Sequence, residues 1–155
     1  MTRPRLLTVV VLGIAMVAVS TLGEATSKTI HVTARIIQQT LTGDPASPQL
    51  GDRIITNVEL LDESGIIVGT GGGSCTVVSV PPLDTLIECL LTAVLAEGQL
   101  MFGGMAPPPA VGVTAHFGIV GGTGDFRKVS GEATLVVTTP ELMDVTFDLD
   151  QPVWP

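Results

Sequence analysis

After residue 25, hydrophobic residues occur in short runs and not at the spacing of an amphipathic helix. These runs are rich in Val, Ile, Thr and Leu and are separated by clusters of Gly, Pro and Asp, which is typical of an antiparallel barrel or sandwich. The pattern predicts eight strands, over residues 29–41, 53–62, 66–80, 85–96, 99–105, 111–120, 126–138 and 142–150. Eight strands can close into a barrel whose interior holds side chains or one small ligand. We therefore expect an all-β protein with a closed eight-stranded antiparallel β-barrel.

The eighth and fourth predicted strands differ in their apolar faces. In the eighth strand, Val145, Phe147 and Leu149 alternate with polar residues, which indicates one face toward an interior and one toward water. The fourth strand is apolar on both faces, with Leu86, Ile87, Cys89, Leu90, Leu91, Ala93, Val94 and Leu95. Such a strand fits a position between the lumen and another subunit. This pattern predicts a homo-oligomer.

The first 25 residues predict a secretory signal peptide, which leaves residues 26–155 as a single β-barrel domain. Two arginines precede an apolar stretch over residues 6–22, and small residues near Ser20 and Ala25 offer cleavage points. The alternative is an uncleaved anchor helix, because about 17 apolar residues is the lower limit of a bilayer span. We prefer the cleaved signal and expect a secreted protein, with membrane attachment only if the signal is retained.

Charge and composition exclude one class of partner. The chain of 155 residues carries a net charge of -8 and contains only seven Lys and Arg residues. A nucleic-acid partner is therefore not expected, because phosphate binding needs clustered basic side chains. The sequence is 45% hydrophobic but only 14% charged, so apolar side chains must occupy part of the surface and favour self-association.

The two cysteines flank a turn signal. Pro81 and Pro82 mark the turn of a hairpin, and Cys75 and Cys89 lie equally far from Pro82 on either side. Directly opposed residues on antiparallel strands are close enough for a disulfide after small adjustments. Secretion would also place both residues in an oxidising compartment. We predict a cross-strand disulfide, with two buried free thiols as the alternative.

Three side chains within predicted strands are candidates for proton transfer. Glu59 and Glu88 are carboxylates in strands, and in an apolar lumen burial would raise their pKa and let the neutral acid donate a proton. His116 lies in an otherwise apolar strand and could act as acid or base near neutral pH. The alternatives are a solvated or intersubunit carboxylate and a packing or surface histidine, which is our interpretation of His31.

No cofactor site is expected. The glycines of Gly121-Gly122-Thr123-Gly124 do not have the spacing of a phosphate-binding loop, and no helix follows them. We expect a turn with positive φ at one or more of these glycines. The two histidines are far apart in the sequence and the cysteines are expected to pair, so a metal site is not supported.

The run over residues 119–131, I-V-G-G-T-G-D-F-R-K-V-S-G, closely resembles the V-V-G-G-T-G-x-F-R-x-A-R-G hallmark of dirigent proteins. Residues 51–65, 68–70 and 73–75, followed by Cys89, Thr92 and residues 98–100, are similar to the allene oxide cyclase-like branch of the same superfamily. The resemblance implies an eight-stranded barrel, usually trimeric, that holds a hydrophobic small molecule in its lumen. Ser130 stands where the hallmark has Arg, and tyrosine is absent. Weak aromatic stacking favours an aliphatic substrate.

Proteins of this superfamily guide reactions of molecules that react without them. Dirigent proteins steer the coupling of phenoxy radicals, and the cyclases guide the cyclisation of reactive polyenes, in both cases through confinement of the substrate. The resemblance implies a cofactor-independent protein that steers the stereoselective cyclisation or coupling of a hydrophobic small molecule. Glu59, Glu88, His116 and Asp125 are the candidate catalytic residues, and Asp125 occupies a variable position of the motif. A non-catalytic barrel that binds a lipid or metabolite, or a structural trimer, is the alternative.

Overall fold

Eight antiparallel strands close into a barrel in the computed structural model, which describes residues 26–151 and the side chains of 27–150. Each strand pairs with the next along the chain, and the first pairs with the last. The expected fold class is therefore confirmed. The strands are β1 Thr26–Leu41, β2 Arg53–Leu61, β3 Ile67–Ser79, β4 Leu86–Leu95, β5 Gly98–Ala106, β6 Thr114–Gly122, β7 Ser130–Thr139 and β8 Leu142–Gln151.

The signal peptide and its two cleavage points were predicted for residues that lie outside the described part of the chain. Between residues 26 and 151, no helix is long and apolar enough to cross a membrane.

The seventh strand departs most clearly from its predicted start. Residues Gly124–Phe126 form a single 3₁₀ turn, so β7 begins at Ser130 and not at residue 126. Phe126 is fully buried by this turn, which an extended strand would not achieve at that position. Gly124 has a φ of 60°, and this confirms the expected positive φ in the glycine loop, since such a backbone conformation favours glycine.

Side chains alternate between the interior of the barrel and its outer surface. In β8, Val145, Phe147 and Leu149 are buried, whereas Asp144 and Asp148 are exposed. This agrees with the alternation in the sequence. Among the described residues, every buried side chain is hydrophobic. The interior of the barrel is therefore the hydrophobic core.

The two ends of the barrel differ in packing. At the end that carries the β2–β3, β4–β5 and β6–β7 connections, which we call the closed end, three large side chains are almost inaccessible to solvent: Leu100, Phe126 and Leu149. The Nζ of Lys28 lies 5.7 Å from the centroid of the Phe126 ring, within the range of a cation–π contact. The opposite end, which we call the open end, carries the β1–β2, β3–β4, β5–β6 and β7–β8 connections.

The hairpin of β3 and β4 contains a disulfide between Cys75 and Cys89. These residues are direct partners in the strand register, as are Val77 and Ile87. The hairpin is therefore symmetric about Pro82 over this part of its length. The predicted cross-strand disulfide is confirmed.

Candidate ligand-binding lumen

A cavity of about 590 Å³ occupies the barrel between the open end and the middle of the core. Its wall consists mainly of aliphatic side chains that point inward from the strands, among them Ile36, Val58 and Leu135. The strands supply these residues because every second side chain faces the lumen. The core of this barrel is therefore partly hollow.

Three phenylalanines form an aromatic cluster that lines the cavity. The ring centroids of Phe102 and Phe147 are 5.3 Å apart in an edge-to-face arrangement, and those of Phe102 and Phe117 are 6.3 Å apart. All three rings line the cavity. Each ring is nearly inaccessible to solvent. Because the rings also line the cavity, they form a preformed apolar surface for a guest molecule.

Prolines are concentrated around the cavity at the open end. They are Pro45 and Pro48 in the β1–β2 loop, Pro107, Pro108 and Pro109 in the β5–β6 loop, and Pro140 in the β7–β8 turn. A proline ring fixes φ and removes a hydrogen-bond donor. These connections are therefore stiff and present apolar rings to the entrance of the cavity.

Two aspartates of the β1–β2 loop also line the cavity. Oδ1 of Asp44 accepts a hydrogen bond from the backbone N–H of Ala46 at 2.9 Å, and Oδ2 of Asp52 accepts one from the backbone N–H of Gln49 at 2.8 Å. Both carboxylates stabilise the loop through these bonds. They also place negative charge at the open end.

The disulfide is part of the cavity wall, because both Cys75 and Cys89 line the lumen. Cys89 is buried, and its strand neighbours Glu88 and Leu90 are exposed on the outer surface. The bond therefore links β3 and β4 on the face that lines the cavity.

Two of the candidate catalytic residues are carboxylates that point away from the lumen. Glu59 forms an ion pair with Arg35 on the outer face, with 3.2 Å between Nε of Arg35 and Oε2 of Glu59. Glu88 is exposed on the outer face of β4. Neither residue lines the lumen cavity.

The other two candidates also lie outside the lumen. His116 is exposed on β6, and its Nδ1 is 2.9 Å from Oε1 of Glu132 on β7. Asp125 is exposed in the 3₁₀ turn at the closed end. The structure thus places Glu59, Glu88 and His116 on three separate strands and does not bring the four candidates together.

Sequence alternation explains these outward positions. Glu59 lies between Val58 and Leu60, which are both buried. Glu88 is likewise flanked by Ile87 and Cys89, and His116 by Ala115 and Phe117, and all four neighbours line the cavity. Since successive side chains of a strand point to opposite faces, inward apolar neighbours require an outward polar residue. This signal was present in the sequence.

The sequence interpretation missed a polar pair at the mouth of the lumen. Gln39 on β1 and Thr56 on β2 both line the cavity, and Nε2 of Gln39 is 3.4 Å from Oγ1 of Thr56. Nothing in the sequence singles out Gln39, because its inward direction depends on a β-bulge in β1. Within residues 26–151, no group of three or more His, Cys, Asp and Glu side chains is placed to hold a metal ion.

Residues 28–147 match a family model described as the allene oxide cyclase barrel like domain. The chain belongs to this family. The match covers all eight strands in whole or in part, and it confirms the resemblance indicated by the glycine motif. A comparison with curated protein sequences returned no match.

Solved structures of the same barrel include several proteins with named reactions. The structure of pyocyanin demethylase is 26% identical, with a TM-score of 0.69, and the match covers 79% of this chain and 99% of that one. AbnU, an exo-specific intermolecular Diels-Alderase, is 19% identical with a TM-score of 0.71 and coverage of 81% and 99%. The pterocarpan synthase dirigent protein GePTS1 is 17% identical with a TM-score of 0.60 and coverage of 85% and 90%.

Proposed function

We propose that this barrel binds one apolar small molecule in its lumen and steers the stereoselective cyclisation or coupling of that molecule through confinement. The observation that carries the proposal is the apolar cavity of about 590 Å³ that is accessible from the open end. This volume lies within the range of about 300–1,000 Å³ found for small-molecule sites. The lumen can therefore enclose a guest molecule without opening the strands.

The names of similar structures support a reaction as well as binding. They include a Diels-Alderase, a dirigent protein and a demethylase. At these levels of identity the likeness to the first two concerns the fold alone. We extend the idea to this chain because its own lumen has the size and the apolar lining that confinement requires.

Confinement lowers a reaction barrier when the wall holds the reacting ends of a flexible molecule close together. Such orientation can contribute about 7–11 kcal/mol in the best intramolecular cases. In this chain the aromatic cluster and the stiff open-end loops would limit the conformations of the guest. Glu59, Glu88, His116 and Asp125 do not line the cavity, so the proposed role depends on shape and not on proton transfer by these residues.

Filling the lumen tests the binding part of the proposal. Ala115 lines the cavity, and its neighbour Thr114 is exposed on the outer face. We expect Ala115→Phe to weaken binding of the hydrocarbon probe diphenylhexatriene at least about tenfold, because the new ring occupies space that the probe needs. Fluorescence titration of the purified protein measures this affinity, and Thr114→Phe is the matched control.

Equal probe affinity in wild type and Ala115→Phe would contradict lumen binding.

A test of the proposed steering requires the natural guest, which native mass spectrometry of protein from its own culture can detect as a retained mass. We expect the extracted guest, or its reactive precursor, to give one stereoisomer in excess with the protein and a mixture without it.

A non-catalytic binding protein is the second candidate function. The outward position of Glu59, Glu88 and His116 favours it, since the lumen then lacks the proton-transfer groups predicted from the sequence. If the extracted guest gives the same products at the same rate with and without the protein, binding alone is the function.

We also propose that the chain assembles into a homotrimer through the outer face of β4, β5 and β6. Leu90, Met105 and Val120 are 53%, 58% and 59% exposed on this face. Leu90 and Val120 also line a shallow outer depression with Gly103 and Gly104. Apolar surface of this kind favours association between copies.

The oligomeric state can be measured by native mass spectrometry and light scattering. We expect wild type to be a trimer and Leu90→Glu to dissociate, because the interface would bury an unpaired charge. Thr40→Glu, an exposed position on β1, is the matched control. A wild-type monomer would contradict this proposal.

Secretion is a further part of the proposal. The Cys75–Cys89 disulfide supports it, because disulfides form and persist in oxidising compartments. We expect mature protein in the culture medium to begin after Ser20 or Ala25. Intact Met1 on protein in the membrane fraction would contradict cleavage of the signal.

A further inference from the structure

Two neighbouring polar pairs join β1 and β2, one on each side of the barrel wall. Gln39 and Thr56 face the lumen, where Nε2 of Gln39 is 3.4 Å from Oγ1 of Thr56. Gln38 and Asn57 are exposed on the outer face, where Nδ2 of Asn57 donates to Oε1 of Gln38 at 3.2 Å. The inner pair lies at the mouth of the open end, where Gln39 is exposed and Thr56 is half-buried, in a wall that is otherwise mainly apolar.

A β-bulge places the inner pair. The register of β1 against β2 shifts between Ile36 and Gln38, and the extra residue, Ile37, is 57% exposed. Ile36 lines the lumen, so regular alternation would turn Gln38 inward and Gln39 outward. The bulge reverses this order, which is how bulges re-aim side chains near functional sites.

The inner pair has hydrogen-bonding capacity for a guest. A glutamine amide carries two N–H donors and an acceptor oxygen, and its bond to Thr56 uses one donor. The threonine hydroxyl can donate its own proton while it accepts this bond. Gln39 and Thr56 can therefore together meet a carbonyl or hydroxyl group on a molecule in the lumen.

The charges nearby favour a neutral group over an anionic one. The carboxylates of Asp44 and Asp52 line the same part of the cavity. The neighbouring cation, Arg53, also lines the cavity, and its guanidinium lies 3.4 Å from Oγ of Ser74. The three residues together carry one net negative charge, so a carboxylate on the guest would be repelled while it lost its hydration, whereas a neutral group would not.

We propose that Gln39 and Thr56 recognise one neutral hydrogen-bonding group, a carbonyl or hydroxyl, of an otherwise apolar guest. This inference rests on the proposed function and deepens it, because it names the chemical class of the guest. The polar group binds at the inner pair near the open end. The apolar body extends toward the ring cluster of Phe102, Phe117 and Phe147.

The test compares competitors that differ only in their polar group. Methyl nonyl ketone, undecanol and undecanoate each displace diphenylhexatriene from the wild-type protein in a fluorescence titration at neutral pH. We expect the ketone and the alcohol to bind at least about tenfold more tightly than undecanoate.

Two variants locate the recognition. We expect Gln39→Leu and Thr56→Val each to weaken binding of the ketone about three- to tenfold, the range for loss of a hydrogen bond. Affinity for diphenylhexatriene, which has no hydrogen-bonding group, should change less than about twofold. Gln38→Leu and Asn57→Leu are matched controls on the outer face and should alter neither affinity.

Two results would overturn the inference. They are unchanged ketone affinity in both Gln39→Leu and Thr56→Val, and undecanoate affinity equal to that of the ketone in wild type. Either result, together with normal diphenylhexatriene binding, contradicts the inference and leaves the proposed function intact. Failure of wild type to bind diphenylhexatriene contradicts lumen binding itself.

Discussion

The closed end and the open end of this barrel are built from the same eight strands but are filled in different ways. At the closed end, a 3₁₀ turn inserts Phe126 among side chains such as Leu100 and Leu149, and all three are almost fully buried. At the open end, proline-containing loops surround a cavity of about 590 Å³. The comparison indicates that large buried side chains fill the closed end, whereas the open end leaves space for a guest.

Each end leads to a different expectation for substitutions. Close packing makes a protein sensitive to the loss of even a few atoms. Exposed side chains at the mouth of the cavity can change with less cost to stability, because they bury little surface. The following predictions test this difference from the largest expected effect to the smallest.

The largest effect is expected at the closed end. Phe126→Ala should lower the free energy of unfolding by about 3–5 kcal/mol, because it removes a fully buried ring and leaves a void. Val111→Ala at the open end, where Val111 is exposed, should change it by less than about 0.5 kcal/mol. Denaturant unfolding followed by circular dichroism measures both variants. Similar losses for the two would contradict the contrast between the ends.

An intermediate effect is expected in the cavity wall. The variant Cys75→Ala/Cys89→Ala should lower the free energy of unfolding by about 2–4 kcal/mol, because the disulfide no longer restricts the unfolded chain. Wild type in a reducing agent should show a comparable loss, which serves as the control. Equal stability of the oxidised wild type and the double variant would contradict a stabilising role.

The smallest effect is expected on the outer wall between the two ends. Glu59→Gln removes an exposed ion pair with Arg35, and we expect a loss of less than about 1 kcal/mol. Diphenylhexatriene affinity should be the same as in wild type for Glu59→Gln, Glu88→Gln and His116→Ala. A tenfold weaker probe affinity in any of these variants would show that an outer residue affects binding in the lumen. This result would contradict the outward positions of these side chains.

Much of the fold could be predicted from the sequence, because its signals are local. Gly and Pro clusters located the turns, and the equal distances of Cys75 and Cys89 from Pro82 predicted the register of β3 and β4. The predicted start of β7 at residue 126 was wrong, since Phe126 belongs to a 3₁₀ turn. The turn buries the Phe126 ring against residues that are distant in the sequence, and a local sequence pattern does not reveal such contacts.

The site was harder to predict than the fold. The interpretation of Glu59, Glu88 and His116 relied on residue type and did not apply the alternation of their strands, which turns all three outward. Gln39 could not have been found in this way. The inward direction of Gln39 depends on the bulge between Ile36 and Gln38. A bulge is a property of the pairing between two strands, and the sequence of one strand does not reveal it.

The most direct test of the central claim is a crystal structure of the mature protein grown with bromonaphthalene, with bromine located by anomalous scattering. We predict bromine density inside the lumen, between the open-end loops and the ring of Phe102. Bromine found only on the outer face near Leu90 and Val120, with side chains filling the lumen, would contradict the claim that the barrel interior is the ligand site.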